Sequence, residues 1–406
     1  MTNFVQALID STLGDDVLVA KAKVRSQWPG PWTTTTLLDP TESSFSSYST
    51  LLPPVSGKNL SPSEFRQQYI QPSRPVLFHD LMDDWPIMQT NSTQGNTNTT
   101  VFFDTNRNNK VRVGNNEDGH DVFILLKDFL RYMTGQNENH PEELQEPQQD
   151  QNPMFVFDST LLNTADNIQD CAATTATTAT TTATATTATT TTTTTSRWYT
   201  VPKIFDDDDL LQHFTPEHPR PKYKWLLIGP TRSGSSMHQD PMHTNAWNAL
   251  VQGYKHWIMF HPDTPKHLVN AMHTLNERSS RYRNGRRAGS GTDKDVYWND
   301  LYGWYRNELS STKEKVEHYF QQQQQVCDGA KNQKKIARCY ECVQQPGEII
   351  FVPSMWHHAV LNVADSVAVT QNFVDRSGLD ETYKTMKEED GRKLRVKLTR
   401  CRPDLL

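Results

Sequence analysis

The chain of 406 residues carries a formal net charge of -6, with 35% hydrophobic residues and 14 histidines. That length allows one large domain or two ordinary ones, and the mild charge argues neither for nor against a nucleic-acid partner. Five cysteines in a chain this long exclude a disulfide framework. No basic region followed by an apolar run opens the sequence, and no stretch has the ~18 to 20 apolar residues of a membrane span. The expectation is an intracellular chain with no membrane segment.

Residues 1–60 are rich in Ser, Thr and Pro and predict a loosely ordered extension. Ser61-Pro62-Ser63-Glu64 marks a helix start, with a capping residue, a proline in the first turn and an acid at the third position. The helix continues through Phe65 to Tyr69. Pro75 to Phe78 predicts a strand, Asn91 to Asn109 a loop or insertion, and Val122 to Met133 a helix from its Leu and Phe spacing. Gln136 to Gln151 is polar and predicts no regular structure, whereas Phe155 to Asp158 predicts a strand.

Ala172 to Thr195 is almost pure Thr and Ala. Such a tract buries too little apolar surface to offset its ordering entropy, so disorder is expected there. Strand signals then dominate: Trp225 to Ile228, Ala246 to Val251, His256 to Phe260, Glu348 to Val352, Ala359 to Val363 and Ser366 to Phe373. A polar insertion spans 266–343. Many short strands with Gly/Pro turns point to an all-β barrel or sandwich with added helices. Domain limits follow as 61–390 for the folded part, with insertions near 91–109, 136–151, 172–195 and 266–343, and 391–406 as a tail.

Two basic stretches, Arg281 to Arg287 and Arg392 to Arg400, read as solvated surface, with RNA or histone contact as the alternative. Cys339 and Cys342 form a lone CxxC. Zinc needs four ligands, and Cys327 leaves the set incomplete, so the pair reads as reduced thiols.

His238-Gln239-Asp240 places an imidazole and a carboxylate two residues apart, on one face of a strand. His358, far along the chain, supplies a third ligand. Two histidines and a carboxylate with the other positions open form the facial triad of non-haem Fe(II) oxygenases. His357 is a rival third ligand: pleating sends His358, Val360 and Asn362 to one face and His357, Ala359 and Leu361 to the other. Pattern alone does not decide between them.

Two longer blocks carry more. Gly229 to Gly234, His238 to Pro241 and Asn245 to Trp257 resemble the Jumonji-C oxygenases, and among them the bifunctional arginine demethylase and lysyl-hydroxylase type. Glu341 to Glu348, Phe351 to Pro353 and Trp356 to Asn372 resemble the same family. Weaker similarity covers Phe65 to Pro86 and Val201 to Trp225.

The resemblance implies a double-stranded β-helix (jelly-roll or cupin) core, mainly β with added helices. It implies Fe(II) held by His238, Asp240 and His358, and selects His358 over His357. It also implies 2-oxoglutarate as cosubstrate, with Lys255 on its distal carboxylate, Asn248 and Thr370 hydrogen-bonding it, and Asn372 near the metal. Phe155 stands where the family has a tyrosine that reaches the cosubstrate, a departure that removes one hydrogen bond. His243 and His357 replace non-ligand residues and read as structural, and Trp247, Trp257 and Trp356 read as core aromatics.

The implied activity is a dioxygenase hydroxylating protein side chains, lysine foremost, in lysine- or arginine-rich partners. N-methylarginine demethylation by the same mechanism is the alternative, and a non-catalytic cupin-type scaffold is the rival from another class. Nuclear location is implied by the resemblance alone.

Overall fold

The computed structural model describes residues 48–89, 98–115, 121–134, 153–163, 168–172, 192–206, 209–210, 222–269, 301–326 and 338–385, with the single positions 392, 396 and 399. The first 47 residues, 136–151, 173–191, Arg281 to Arg287, most of Arg392 to Arg400, Cys327 and Cys401 lie outside the described residues.

In chain order the strands are β1 (Thr50–Leu51), β2 (Pro54–Val55), β3 (Val76–Phe78), β4 (Lys110–Asn115), β5 (Asp121–Leu125), β6 (Val156–Asp158), β7 (Ile168–Ala172) and β8 (Thr192–Ser196). After them come β9 (Lys224–Gly229), β10 (Gly234–His238), β11 (Asn245–Gln252), β12 (Lys255–Phe260), β13 (Cys339–Gln344), β14 (Ile349–Val352), β15 (His357–Asn362) and β16 (Ser366–Phe373). Two sheets hold most of them. One runs β1-β13-β12-β15-β10 and the other β2-β3-β14-β11-β16-β9-β6. Apart from the parallel pairs β1–β13 and β2–β3, neighbours in both sheets are antiparallel. This is the mainly β jelly-roll core with helices added around it.

Strand alternation sorts the core into three layers. Between the sheets lie Leu77, Ala246, Trp257, Met259, Ile350, Val352 and Val360. The outer face of the larger sheet carries Trp247, Ala249, Phe351, Val369 and Phe373, packed on Phe65, Phe102 and Phe205. Phe205 stacks on Trp247 with ring centroids 5.9 Å apart. The outer face of the smaller sheet carries Ile258, Phe260, Ala359 and Leu361, which meet Leu301, Trp304, Val316 and Phe320. Each Val, Leu, Ile, Met or Phe side chain among them contributes roughly 1.5 to 3 kcal/mol by leaving water.

The helix start at Ser61 has a complete capping box: Glu64 N–H donates to Ser61 Oγ, and the Ser61 N–H donates to the Glu64 carboxylate. Elsewhere the structure departs from the expectations. The extension before Ser61 joins the barrel at its end, since β1 pairs with Tyr340 and Glu341, β2 pairs with Leu77 and Phe78, and Leu52 is buried between the sheets. A helix, Asn98–Asn106, stands inside the Asn/Thr-rich stretch expected to be a loop, and buries Phe102 and Phe103. The segment expected to be one helix from Val122 splits into β5, paired with β4, and a helix at Leu126–Thr134.

Within the polar insertion 266–343, helices Leu301–Asn307 and Leu309–Val326 cover the smaller sheet, and β13 is one of its strands. The ends of the Thr/Ala tract, Ala172 and Thr192 to Thr195, belong to the β7–β8 ladder rather than to a structureless segment. Among the described residues no helix is long and apolar enough to cross a membrane.

Candidate functional site

The ligand atoms of His238, Asp240 and His358 all lie within 4.8 Å of one another. Among the described residues no other trio of His, Cys, Asp or Glu side chains converges in this way. Their meeting depends on an irregularity in the smaller sheet. Along β10 and β15, Ser235 faces Val360, but His238 faces His358. Three residues on β10 thus advance against two on β15, a bulge of one residue. In an unbroken register His238 would oppose His357 and point to the outer face. The bulge turns it inward, and the two imidazoles meet with centroids 4.1 Å apart. β10 ends at His238, and the backbone stays extended through Asp240 (φ -62°, ψ 144°). The same-face spacing of the HxD triplet therefore survives the end of the strand.

Both imidazoles are oriented by backbone carbonyls two residues earlier. His238 Nδ1 lies 2.6 Å from the Ser236 carbonyl oxygen, and His358 Nδ1 lies 3.0 Å from that of Trp356. Each Nδ1 donates its proton there, which leaves the Nε2 lone pairs for a metal. Burial pushes the His358 imidazole down to about 4, with the neighbouring His238 adding to the shift. The ring is thus neutral, the form that ligates. Trp257 stacks on it at 6.0 Å.

His357 points to the opposite face. Burial and the Lys266 ammonium push it down to about 4. It lines a cavity of about 400 Å³ together with His238, Asp240, His243, Lys266 and Met355. Of the three converging residues, His238 and Asp240 line this cavity, and two imidazole nitrogens with a carboxylate oxygen are the donor set of a divalent first-row metal with free positions, so the residues fit Fe(II).

The cosubstrate residues implied by the resemblance come together between the sheets. Asn248 is two residues from Ala246, and Lys255 two from Trp257, so both share the inner face of those core residues. Thr370 is the register partner of Asn248, and Asn372 that of Ala246. Asn248 Oδ1 is buried without a hydrogen-bond partner. A buried acceptor left unpaired costs about 1 to 3 kcal/mol, which marks a place for a ligand or water. The Thr370 hydroxyl donates to the Trp247 carbonyl (2.8 Å) and must rotate to serve a ligand, while Asn372 Nδ2 donates to Thr244 Oγ1 (2.7 Å).

Lys255 is buried, and its Nζ donates to Asn362 Oδ1 at 2.7 Å. No carboxylate pairs with it among the described residues, and burial alone lowers it to about 7. An ammonium in that setting is an acceptor-seeking point charge.

A family model for the cupin-like domain matches residues 62–378. The chain belongs to the cupin-like domain family. It is similar to the bifunctional arginine demethylase and lysyl-hydroxylase of Caenorhabditis elegans, 28% identical over 87% of this chain and 69% of that protein. An arginine-specific demethylase of Arabidopsis thaliana is 26% identical over 83% of this chain and 49% of its own length. A 2-oxoglutarate and iron-dependent oxygenase of Homo sapiens is 25% identical over 47% of this chain and 36% of its own. These matches bear out the Jumonji-C resemblance of the two sequence blocks.

In this cupin-like barrel, Phe155 directly precedes β6, beside Gly229: a Cβ on that glycine would lie 3.2 Å from the Phe155 Cβ. Trp356 is buried and donates its indole N–H to the Ser73 carbonyl at 2.9 Å, so it is a core residue. Trp247 and Trp257 are buried as well. Cys339 packs in the outer layer and Cys342 between the sheets, so the CxxC pair straddles a strand and shares no metal. Burial pushes both thiols up. His243, expected to be structural, lines the cavity. The residues in contact with Lys255 that sequence reasoning gave no role are Asn362 and, behind it, Ser233, although the pleat already puts Asn362 on the face of His358.

Proposed function

We propose that this chain is an Fe(II)- and 2-oxoglutarate-dependent dioxygenase that hydroxylates protein side chains, lysine foremost. The observation that carries the reading is the pairing of two features in one inter-sheet space. A two-histidine, one-carboxylate cluster stands at one position, and the buried Lys255 ammonium of β12, with no counter-ion among the described residues, stands beside Asn362 farther along β15. His358 and Asn362, which mark the two positions, are four residues apart on that strand, about 13 Å at the strand rise.

His238, Asp240 and His358 would hold the iron, and Lys255, Asn248 and Thr370 the keto acid, with Asn372 beside the metal. Bound together, Fe(II) and 2-oxoglutarate supply oxidative decarboxylation of the keto acid coupled to hydroxylation of a C–H bond by O2. The chain contributes imidazoles each held in one tautomer and a cation for the distal carboxylate. It also contributes a mostly apolar wall (Trp257, Met259, Val360) that keeps water from the reacting centre. The cavity beside His238 and Asp240 admits the substrate side chain.

Demethylation of N-methylarginine is the second reading, favoured by the names of the Caenorhabditis and Arabidopsis relatives. The same centre would hydroxylate the methyl group, and the product would release formaldehyde. Anaerobic binding of Fe(II) and 2-oxoglutarate, followed by succinate release in air, tests the oxygenase. Mass spectrometry of lysine- and arginine-rich peptides tests the substrate. One added oxygen on lysine supports hydroxylation, and loss of a methyl from methylarginine supports demethylation.

A non-catalytic barrel would bind no iron near one equivalent and release no succinate. A nuclear location and contact with RNA belong to the same proposal, and imaging of a tagged chain and crosslinking to RNA test them.

A further inference from the structure

Lys255 and Asn362 are register partners across β12 and β15, and both side chains point between the sheets. Asn362 is buried, and its amide is committed at both ends. Oδ1 accepts from Lys255 Nζ at 2.7 Å, and Nδ2 donates to Ser233 Oγ at 2.8 Å. The Ser233 hydroxyl proton is itself engaged by the Pro230 carbonyl at 2.5 Å. Ser233 Oγ therefore only accepts from Asn362, and the amide orientation follows. Turned the other way, its NH2 would face the ammonium and its oxygen would face a lone pair.

The relay needs room. A Cβ at Gly229 would lie 2.4 Å from Ser233 Oγ and 2.5 Å from Asn362 Nδ2, so a side chain there would break it.

Resting on the reading of Lys255 given above, we propose that Asn362 is a positioning residue for the cosubstrate. It tethers one N–H of the Lys255 ammonium and leaves two for a ligand carboxylate. Being neutral, it does not cancel the charge that attracts that carboxylate. An aspartate at the same place would give Lys255 an internal counter-ion and close the receptor. Ser233 is the part that keeps the amide facing the right way.

The test uses the full chain loaded with Mn(II), a redox-inert stand-in for the iron, and calorimetric titration with two keto acids. 2-Oxoglutarate carries the distal carboxylate, and pyruvate lacks it. Asn362→Asp is expected to weaken 2-oxoglutarate by roughly 10- to 100-fold, the worth of a charge-assisted contact, and to leave pyruvate unchanged. Ser233→Ala, the milder variant should Asn362→Asp fold poorly, is expected to weaken 2-oxoglutarate roughly 3- to 10-fold, again without effect on pyruvate.

Equal loss of both keto acids, or undiminished 2-oxoglutarate binding by both variants, overturns the role of Asn362. Lys255→Ala is the reference. If it binds 2-oxoglutarate as well as the wild type does, the reading of Lys255 falls and takes this inference with it. If Lys255→Ala loses binding while both other variants keep it, only the inference about Asn362 falls.

Discussion

His238 and His358 face each other across the β10–β15 ladder only because one extra residue is accommodated between Ser235 and His238. The bulge thus absorbs one residue while the two imidazoles stay opposed. Deleting Met237 leaves Ser236 and His238 against Ala359 and His358, so His238 is expected to keep facing His358 in an unbroken register. Divalent metal affinity should stay within a few-fold of the wild type, whereas a direct ligand substitution such as His358→Ala should lower it by roughly 100-fold or more. Metal titration with the circular dichroism spectrum as a check on folding measures both. A loss in the folded deletion variant as large as that in His358→Ala would show that the extra residue itself, and not the pairing of His238 with His358, holds the site.

Lys255 carries a cost when its site holds no anion. Burial lowers its ammonium from the ordinary 10.5 to about 7, so between those values the unfolded chain binds more protons than the folded one. Stability of the ligand-free protein should accordingly rise with pH from about 7 toward 10.5, and the penalty is complete below 7. Lys255→Met removes the charge and keeps the bulk. That variant should be more stable than the wild type at pH 7 and below, with the gap closing as the pH approaches 10. Chemical denaturation of both proteins across this range decides it, and a gap that does not change with pH counts against the prediction.

On the outer face of the smaller sheet, Glu341 is buried among His256 Nε2 (2.8 Å), Ser49 Oγ (2.7 Å) and Lys313 Nζ. Burial raises its carboxyl, but the His256 hydrogen bond and the charges of His256 and Lys313 outweigh that and hold it below the ordinary value. A carboxyl lowered in the folded state stabilises above its unfolded value and loses that stabilisation as the pH falls through the folded one, so this cluster adds to acid sensitivity below about 4.5. Lys313→Met would leave Glu341 charged and without its ammonium, at a cost of about 3 to 5 kcal/mol. The double change Lys313→Met with Glu341→Gln should cost clearly less than the two single changes added together, since the pair acts as one unit. Urea denaturation of the four proteins gives the coupling directly, and strict additivity would rule it out.

The barrel strands were legible because β11, β12, β14, β15 and β16 are buried on both sides and read as apolar runs with few interruptions. Lys255, Asn248 and Thr370 were picked out by the family resemblance, since a lysine at the start of a strand reads by itself as an exposed residue. Three features were not legible, each for a physical reason. The helix Asn98–Asn106 pairs its buried polar residues with backbone carbonyls, Asn106 Nδ2 donating to Phe102 at 2.8 Å and Thr99 Oγ1 to Ile87 at 3.2 Å, and composition does not reveal such pairing. The helix Leu309–Val326 is polar along most of its length, and Leu309, Val316 and Phe320, with Leu301, Trp304 and Tyr305 of the preceding helix, mark the face that covers the sheet. The bulge in β10 is a property of register between distant strands, and His238-Gln239-Asp240 reads the same with or without it.

Phe155 is the site's departure from the resembled family, which has a tyrosine at the matching position. It borders Gly229, which in turn abuts Ser233 and Asn362, the relay behind Lys255. Phe155→Tyr adds one oxygen at the para position of a half-buried ring, with Phe157 6.5 Å away as its aromatic neighbour. If the ring points along the same wall as the Lys255 ammonium, the new hydroxyl gains a hydrogen bond to the keto acid worth about 1 kcal/mol, or roughly fivefold in affinity. The expected outcome is therefore a severalfold lower KM for 2-oxoglutarate with kcat little changed, because the contact holds the cosubstrate before and during the reaction alike. Steady-state succinate release at varied 2-oxoglutarate measures both constants. An unchanged KM would place the Phe155 ring outside the cosubstrate's reach and locate the matching family position elsewhere on the wall.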